Sequence, residues 1–390
     1  MLASIYTGIM KHKLVILFAL LFLMMLQYAY YLNAIKVIGG AIFSQASEER
    51  CNEFSRASLG NLTLSYNVDD IYKQSMQASS KNFVILRLEA DEKSNDTNFV
   101  TVVTNYFRIP HSKHNHQLYM TWMRNLFSSI KHVPVVVITD VHSVNDIYNL
   151  TSDLKSSQNA QLKVTFYVVD SSWSSVKQLE MERNICYANN YIFYQPSVDV
   201  EFLRHNPNLY SIWNSKAYYL NLSATKNFYN SSFFVYTDIG AFRNYVYKDW
   251  PDRSFARHLK NYLNDRILFG QVTPMPGDFN SSKVNFIQAG FFAGSALAIR
   301  RFSDGYYRVQ DELLTRRQFV GKEQKLLNLL SADSLFKRHA VALQAYSSYN
   351  DCTLPYDVWF FYQTYMADSK SIGCLNVNDK LSNKFLRIFE

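Results

Sequence analysis

The chain has no C-x-x-C pair, no long block of one charge, no internal repeat and no low-complexity tract. Each absence removes a class of protein. The four cysteines, Cys51, Cys186, Cys352 and Cys374, lack the paired spacing of a zinc site. Lysines and arginines exceed the acids by a formal charge of +8, but they are scattered among those acids. Nucleic-acid binding needs a basic face gathered on one element, so no nucleic-acid partner is expected. A solvated surface with a local preference for anionic ligands fits the excess better.

What is present is a long chain rich in apolar and aromatic residues. At 390 residues, 48% hydrophobic, with 28 Tyr and 28 Phe, it has the material for one large domain or two with appendages. Near the start, residues 14–32 read LVILFALLFLMMLQYAYYL, interrupted only by Gln27, which is long enough to span a bilayer as a helix. Lys11 and Lys13 precede the run and Tyr28, Tyr30 and Tyr31 close it. The positive flank predicts a cytoplasmic tail at 1–13 and an uncleaved anchor at 14–32. A cleaved signal peptide is the rival reading, with Ser44-Gln45-Ala46 as a loose cleavage site. The apolar core is longer than the ~7–15 residues usual for a signal peptide, and that site lies well past its end.

Six Asn-x-Ser/Thr sequons, at Asn61, Asn95, Asn149, Asn221, Asn230 and Asn280, all fall after the apolar segment and suggest a lumenal or extracellular body. In such a compartment the cysteines can pair; Cys352 with Cys374 is the most local option, and the connectivity stays open. Residues 33–98 are rich in Ser, Asn, Glu and Lys and read as a stem, leaving 99–390 as the folded lumenal domain. The one apolar run in the stem, 83–86, is alternatively an early strand of that domain.

From residue 99 the pattern is α/β. Strands are expected at 99–104, at 133–139 ending on Asp140, and at 164–169 ending on Asp170. Between the first two, residues 117–130 carry helical spacing through Leu118, Trp122, Leu126 and Phe127. Strand, helix, strand implies crossover units and a largely parallel sheet. A helix follows over 209–229, then strands at 233–237, 267–270 and 286–295, a helix at 304–317 and another through Leu326, Leu327, Leu329 and Leu330.

One stretch stands out, FFVYTDIGAFR at 233–243. An apolar, aromatic run delivers Asp238 at a strand end, and a glycine and an arginine follow within five residues. In open α/β sheets the carboxyl edge is where ligands bind. The plainer alternative is an aspartate capping its own turn. Gly240 permits a sharp turn or a close ligand approach.

Three blocks together, IWNSK at 212–216, FFVYTDIGAFR at 233–243 and FVGKEQKLL at 319–327, with IQAGFFAGS at 287–295 between the last two, resemble the HtrL/YibB-like (WlaTC-type) family of glycosyltransferases. The segment VTVVTNYFRIPHSKHNHQLYMTWM at 100–123 is similar to that family's opening block. The resemblance covers about 99–370. It implies a GT-A type fold, with a Rossmann-like, mainly parallel sheet flanked by helices, and transfer of a sugar from a nucleotide-sugar donor to a glycan or glycoconjugate acceptor. Asp238 then meets a divalent cation, Mn or Mg, and the donor diphosphate, because the leaving diphosphate develops charge that a hard cation neutralises. The usual second acid is absent, since Asp238 is followed by Ile239 and Gly240. Lys216 and Arg243 are the cations that supply charge instead, and surface ion pairing is the plain alternative for each. Thr104, Arg108 and Lys113 follow the first strand and are placed at the nucleotide.

Glu323 is the candidate catalytic base beside Asp238; helix N-terminal electrostatics is its alternative. Gly290, Gly294 and Trp359 are placed on the acceptor side, and His339 is a possible late metal ligand or a structural histidine. The whole reads as a single-pass type II membrane glycoprotein of the Golgi or endoplasmic reticulum. The competing reading is a non-catalytic glycan-binding or interaction protein on the same scaffold.

Overall fold

The computed structural model describes residues 84–88, 100–109, 112, 114–169, 172, 175–176, 199, 201, 205, 207–253, 263, 265–272, 286–316, 318–332, 340–344 and 359–367. The anchor expected at 14–32, Asp170, Lys113, His339 and all four cysteines lie outside the described residues. Among the described residues, no helix is long and apolar enough to cross a membrane.

Runs that are apolar on both faces become the central strands. The strands β2 (Val100–Tyr106), β3 (Val135–Asp140), β4 (Val164–Val169) and β5 (Phe233–Thr237) are buried along their whole length. Such continuous burial belongs to parallel strands covered by helices on both sides. They pair in the order β4-β3-β2-β5, all parallel. The run read as either stem or early strand is β1 (Val84–Leu88), which adds antiparallel to β4 at one edge. On the other side β7 (Ile287–Ser295) lies antiparallel between β5 and β6 (Ile267–Gln271), and β8 (Ala340–Gln344) runs parallel to β6 at the far edge. The eight-stranded sheet is therefore mixed and mostly parallel, with only β1 and β7 reversed.

Helices cover both faces. On one face, α1 (His116–Ser129) and α2 (Val144–Ser157) pack Met123, Leu126, Phe127, Ile147, Leu150 and Leu154 against Val102, Val135, Val137 and Phe166. On the other, α3 (Pro207–Lys226), α4 (Ala296–Thr315) and α5 (Glu323–Ala332) gather Tyr219, Leu220, Phe302, Tyr306, Leu326 and Leu327 over Val103, Ile138, Tyr236 and Phe292. A short α6 (Phe361–Ala367) brings Tyr362 and Met366 back to the first face.

The helix expected to begin at 304 begins at Ala296. Ser295 ends β7 in an extended conformation, and its hydroxyl accepts from the Ala298 N–H. A serine that closes a strand thus also caps a helix, with no loop between. In α1 the buried stripe is Trp122, Met123, Leu126 and Phe127, while Leu118, expected in that stripe, is 43% exposed.

Candidate functional site

Strands β2 and β5 are neighbours and parallel, yet the chain leaves β2 toward β3 on one side and reaches β5 on the other only after β4 and α3. This is the point where strand order reverses, and the ends of the two strands cannot both be covered by their own crossovers. A cleft of about 450 Å³ opens there, within the size range of small-molecule sites. Its walls come from the end of β2 and the segment after it, the first turns of α1 and α3, the segment after β5, and Phe360.

Asp238 stands at the end of β5, half-buried and lining the cleft. Its backbone N–H donates to Gly290 O at 2.9 Å, which ties it to β7, and its carbonyl accepts from Ala241 N–H at 3.0 Å, which closes the turn after the strand. Its carboxylate Oδ1 accepts from Lys216 Nζ at 2.9 Å and faces the Tyr236 hydroxyl at 3.1 Å. Lys216, 4% exposed, projects from the third turn of α3, three residues beyond Trp213 on the same cleft-facing side. Its ammonium also donates to Glu323 Oε1 at 2.8 Å and to Ala289 O at 3.1 Å. Three donors thus meet three acceptors.

Burial alone would drive the Lys216 pKa down, but the attraction of Asp238 and Glu323 outweighs it and holds the ammonium well above its ordinary range. Glu323 shifts the other way. Burial pushes its carboxyl up against the opposing pull of Lys216, and its Oε2 has no hydrogen-bond partner. Glu323 opens α5, is 2% exposed, and lies behind Lys216 without lining the cleft. Of the two expected catalytic acids, only Asp238 reaches the space a ligand would fill.

Arg243 is exposed at the cleft, its guanidinium 4.8 Å from the Trp122 ring and 4.8 Å from the Phe360 ring, with Nε donating to Gly240 O at 3.3 Å. Two aromatic faces and one carbonyl fix a side chain that would otherwise be free to wander. Gly240 does not adopt a left-handed backbone. Its value is closeness, because a Cβ there would lie 3.0 Å from both Trp122 and Tyr119. Gly290 serves Asp238 likewise: a Cβ would sit 3.0 Å from Asp238 Oδ2 and 3.1 Å from Gln288 Oε1. Gly290→Ala should therefore push the carboxylate off Lys216 and lower stability by about 1–3 kcal/mol, read by chemical denaturation.

The other expected site residues divide. Arg108 is exposed and lines the cleft. Thr104 is fully buried on the α1/α2 side of β2, its hydroxyl without a partner. The residue that faces the cleft is its neighbour Asn105, whose Oδ1 accepts from Tyr236 and whose Nδ2 has no partner. Gly294 packs against Ala298 and Ile267 at the far end of β7, away from the cleft. Trp359 is half-buried, and the ring in the cleft is the next one, Phe360.

Sequence reasoning missed the aromatic wall of Tyr106, Tyr119, Trp122 and Trp213, with His114 and His116 among them. Tyr106 and His116 are hydrogen-bonded at 2.8 Å, and His116 Nε2 meets Asp146 of α2 at 3.0 Å. The signal available was VTVVTNYFR itself, where polar Asn105 ends an apolar run as polar Thr237 and Asp238 end theirs, with aromatic Tyr106 directly after it.

The site is also tied together from behind. Asn214 is fully buried; its Nδ2 faces Tyr210 O, Val320 O and Gly321 O at 2.9, 3.1 and 3.1 Å. Its Oδ1 accepts from Tyr306 at 2.7 Å and Gln310 at 2.9 Å. One amide thus joins α3, α4 and the turn that presents Glu323. Lys322 in that turn also reaches Glu201 at 2.8 Å.

A divalent cation fits this donor set poorly. Its two converging carboxylates are already bridged by an ammonium, and no group of three His, Cys, Asp or Glu gathers among the described residues. Neither a protein-family model nor a curated protein matches the chain.

Proposed function

We propose that the protein is a glycosyltransferase of the HtrL/YibB-like kind, with a GT-A type fold, that moves a sugar from a nucleotide-sugar donor to a glycan or glycoconjugate acceptor. The observation that carries this reading is the meeting of Asp238, Lys216 and Arg243 in one aromatic-walled cleft at the strand-order reversal. These residues are 22 and 5 positions apart along the chain, and nothing but the fold brings them to one place.

The chemistry follows from the parts. An acceptor oxygen bonds to the anomeric carbon as the bond from that carbon to the diphosphate breaks, and the leaving group gains negative charge. Arg243 and Arg108 stand where that charge is stabilised. The flat rings of Trp122, Trp213 and Tyr119 suit a nucleobase or a sugar face. The acceptor hydroxyl's proton passes to a carboxylate, and Asp238 is the carboxylate open to the cleft. The anchor read at 14–32 would hold this domain in the lumen of the Golgi or endoplasmic reticulum as a type II membrane protein.

The test is to incubate the detergent-solubilised full chain with a panel of nucleotide sugars, with and without manganese, and to measure nucleotide release and transfer. Asp238→Asn should lower the turnover found by about 100-fold or more with the folded state intact by circular dichroism. Unaltered turnover in that variant sinks the assignment of Asp238. Release from no donor, with no thermal stabilisation by any nucleotide, supports the glycan-binding alternative.

A further inference from the structure

A transferase site of the kind proposed above ordinarily neutralises its diphosphate with a cation held by carboxylates. Here the space between the Asp238 and Glu323 carboxylates is filled by a cation of the chain itself. The Lys216 ammonium lies 2.9 Å from one carboxylate and 2.8 Å from the other, and its third hydrogen goes to Ala289 O. It is no passing guest, because Lys216 is 4% exposed and anchored on a helix. A metal between the two carboxylates would have to displace it from both.

With all three hydrogens of Lys216 committed, phosphate oxygens need other donors. Arg243 offers them. Its guanidinium is held between Trp122 and Phe360, and Nε on Gly240 O is its one hydrogen bond among the described residues. Asn105 adds a second donor, an amide Nδ2 that is buried at the cleft wall and has no partner. A buried donor without a partner is destabilising, and a ligand oxygen would recover that loss.

We propose that this cleft binds the diphosphate of its donor without a metal ion, with Arg243 and Asn105 holding phosphate oxygens and Lys216 standing permanently where a divalent cation would keep Asp238 in place. The proposal rests on the nucleotide-sugar reading of the cleft, and its failure can be told apart from the failure of that reading.

The experiment measures binding of UDP, GDP and inorganic pyrophosphate to the full chain by calorimetry, once in EDTA and once in manganese. The expected result is that at least one of the three binds in EDTA, with a Kd that manganese changes by less than about twofold. Arg243→Lys, at an exposed position that should not perturb folding, is expected to weaken that binding by about tenfold or more in both buffers, since lysine neither stacks nor offers a planar fork. Binding seen only with manganese overturns the metal-free site and leaves the transferase reading standing. Equal affinity of Arg243→Lys and the unaltered chain in EDTA overturns the role of Arg243. No binding of any probe in either buffer overturns this proposal and the nucleotide-sugar reading together, whereas pyrophosphate binding alone in EDTA supports the metal-free anion site and counts against the nucleotide.

Discussion

Lys216→Met should cost about 3–5 kcal/mol of folding stability, because it removes the cation from between two carboxylates, one of them fully buried, and leaves them facing each other. The measurement is urea denaturation at neutral pH. The decisive companion is Lys216→Met with Glu323→Gln. Removing the deeper charge as well should recover about half of the loss, since the remaining Asp238 is half-open to water while Glu323 is not. Strict additivity of the two changes would show that the ammonium and Glu323 do not interact.

The same cluster sets a direction in pH. Lys216 has a folded-state pKa above its ordinary value of 10.5, so its contribution is complete below that value and is lost as pH climbs beyond it. Tyr236, pushed upward by burial and then by Asp238, acts with the same sign above 10.0. The unfolded chain releases these protons first, and stability should fall by up to about 1.4 kcal/mol per pH unit for each such group.

Asn214→Leu should be nearly as damaging, at about 4 kcal/mol, and the loss should be felt at a distance from the substitution. The leucine fills the space but removes the hydrogen bonds from Asn214 to the Val320 and Gly321 carbonyls and those it accepts from the Tyr306 hydroxyl and Gln310, each a net loss of about 0.5–1.5 kcal/mol. Asn214→Asp separates the two halves of the network. It keeps acceptors for Tyr306 and Gln310 but turns a carboxylate oxygen toward three carbonyls, so it should lose a comparable amount at neutral pH and recover as acid protonates it. A pH-independent loss in Asn214→Asp would contradict this account. In Asn214→Leu, loosening of the 319–323 turn should appear as faster amide hydrogen exchange at the start of α5.

The strands were the legible part of this chain. VTVVTNY, VVVITD, VTFYVV and FFVYT are apolar without alternation because both faces are covered, and that is visible in one dimension. Helix α2 passed unread among Asn, Asp and Ser, although Val144, Ile147, Leu150, Thr151 and Leu154 keep the helical spacing of its buried side. Ser295 hid the start of α4 because a strand end and a helix cap had to be the same residue.

At the site, Asp238 was legible as a strand-end acid with an arginine close behind. That Lys216 meets both Asp238 and Glu323 was not legible, since Lys216 and Glu323 are 107 positions apart and their meeting depends on how α3 and α5 lie over β7. The same limit explains Thr104 and Asn105. One residue's difference at a strand end decides which face a side chain takes, and the apolar run alone does not say which face holds the cleft.

The central pairing of β2 with β5 joins segments about 130 positions apart, as the Thr101–Ser231 hydrogen bond of 2.7 Å at its edge illustrates. Everything between them, including two helices of one face and one of the other, must be made before those strands can close. Closing so long a loop is entropically slow, so the cleft is expected to be among the last features to form during folding. Since its walls run from Asn105 to Phe360, no half of the chain carries a rudimentary version of it. A ligand seated there would consequently brace the entire domain, and its binding free energy would appear in full as resistance to global unfolding.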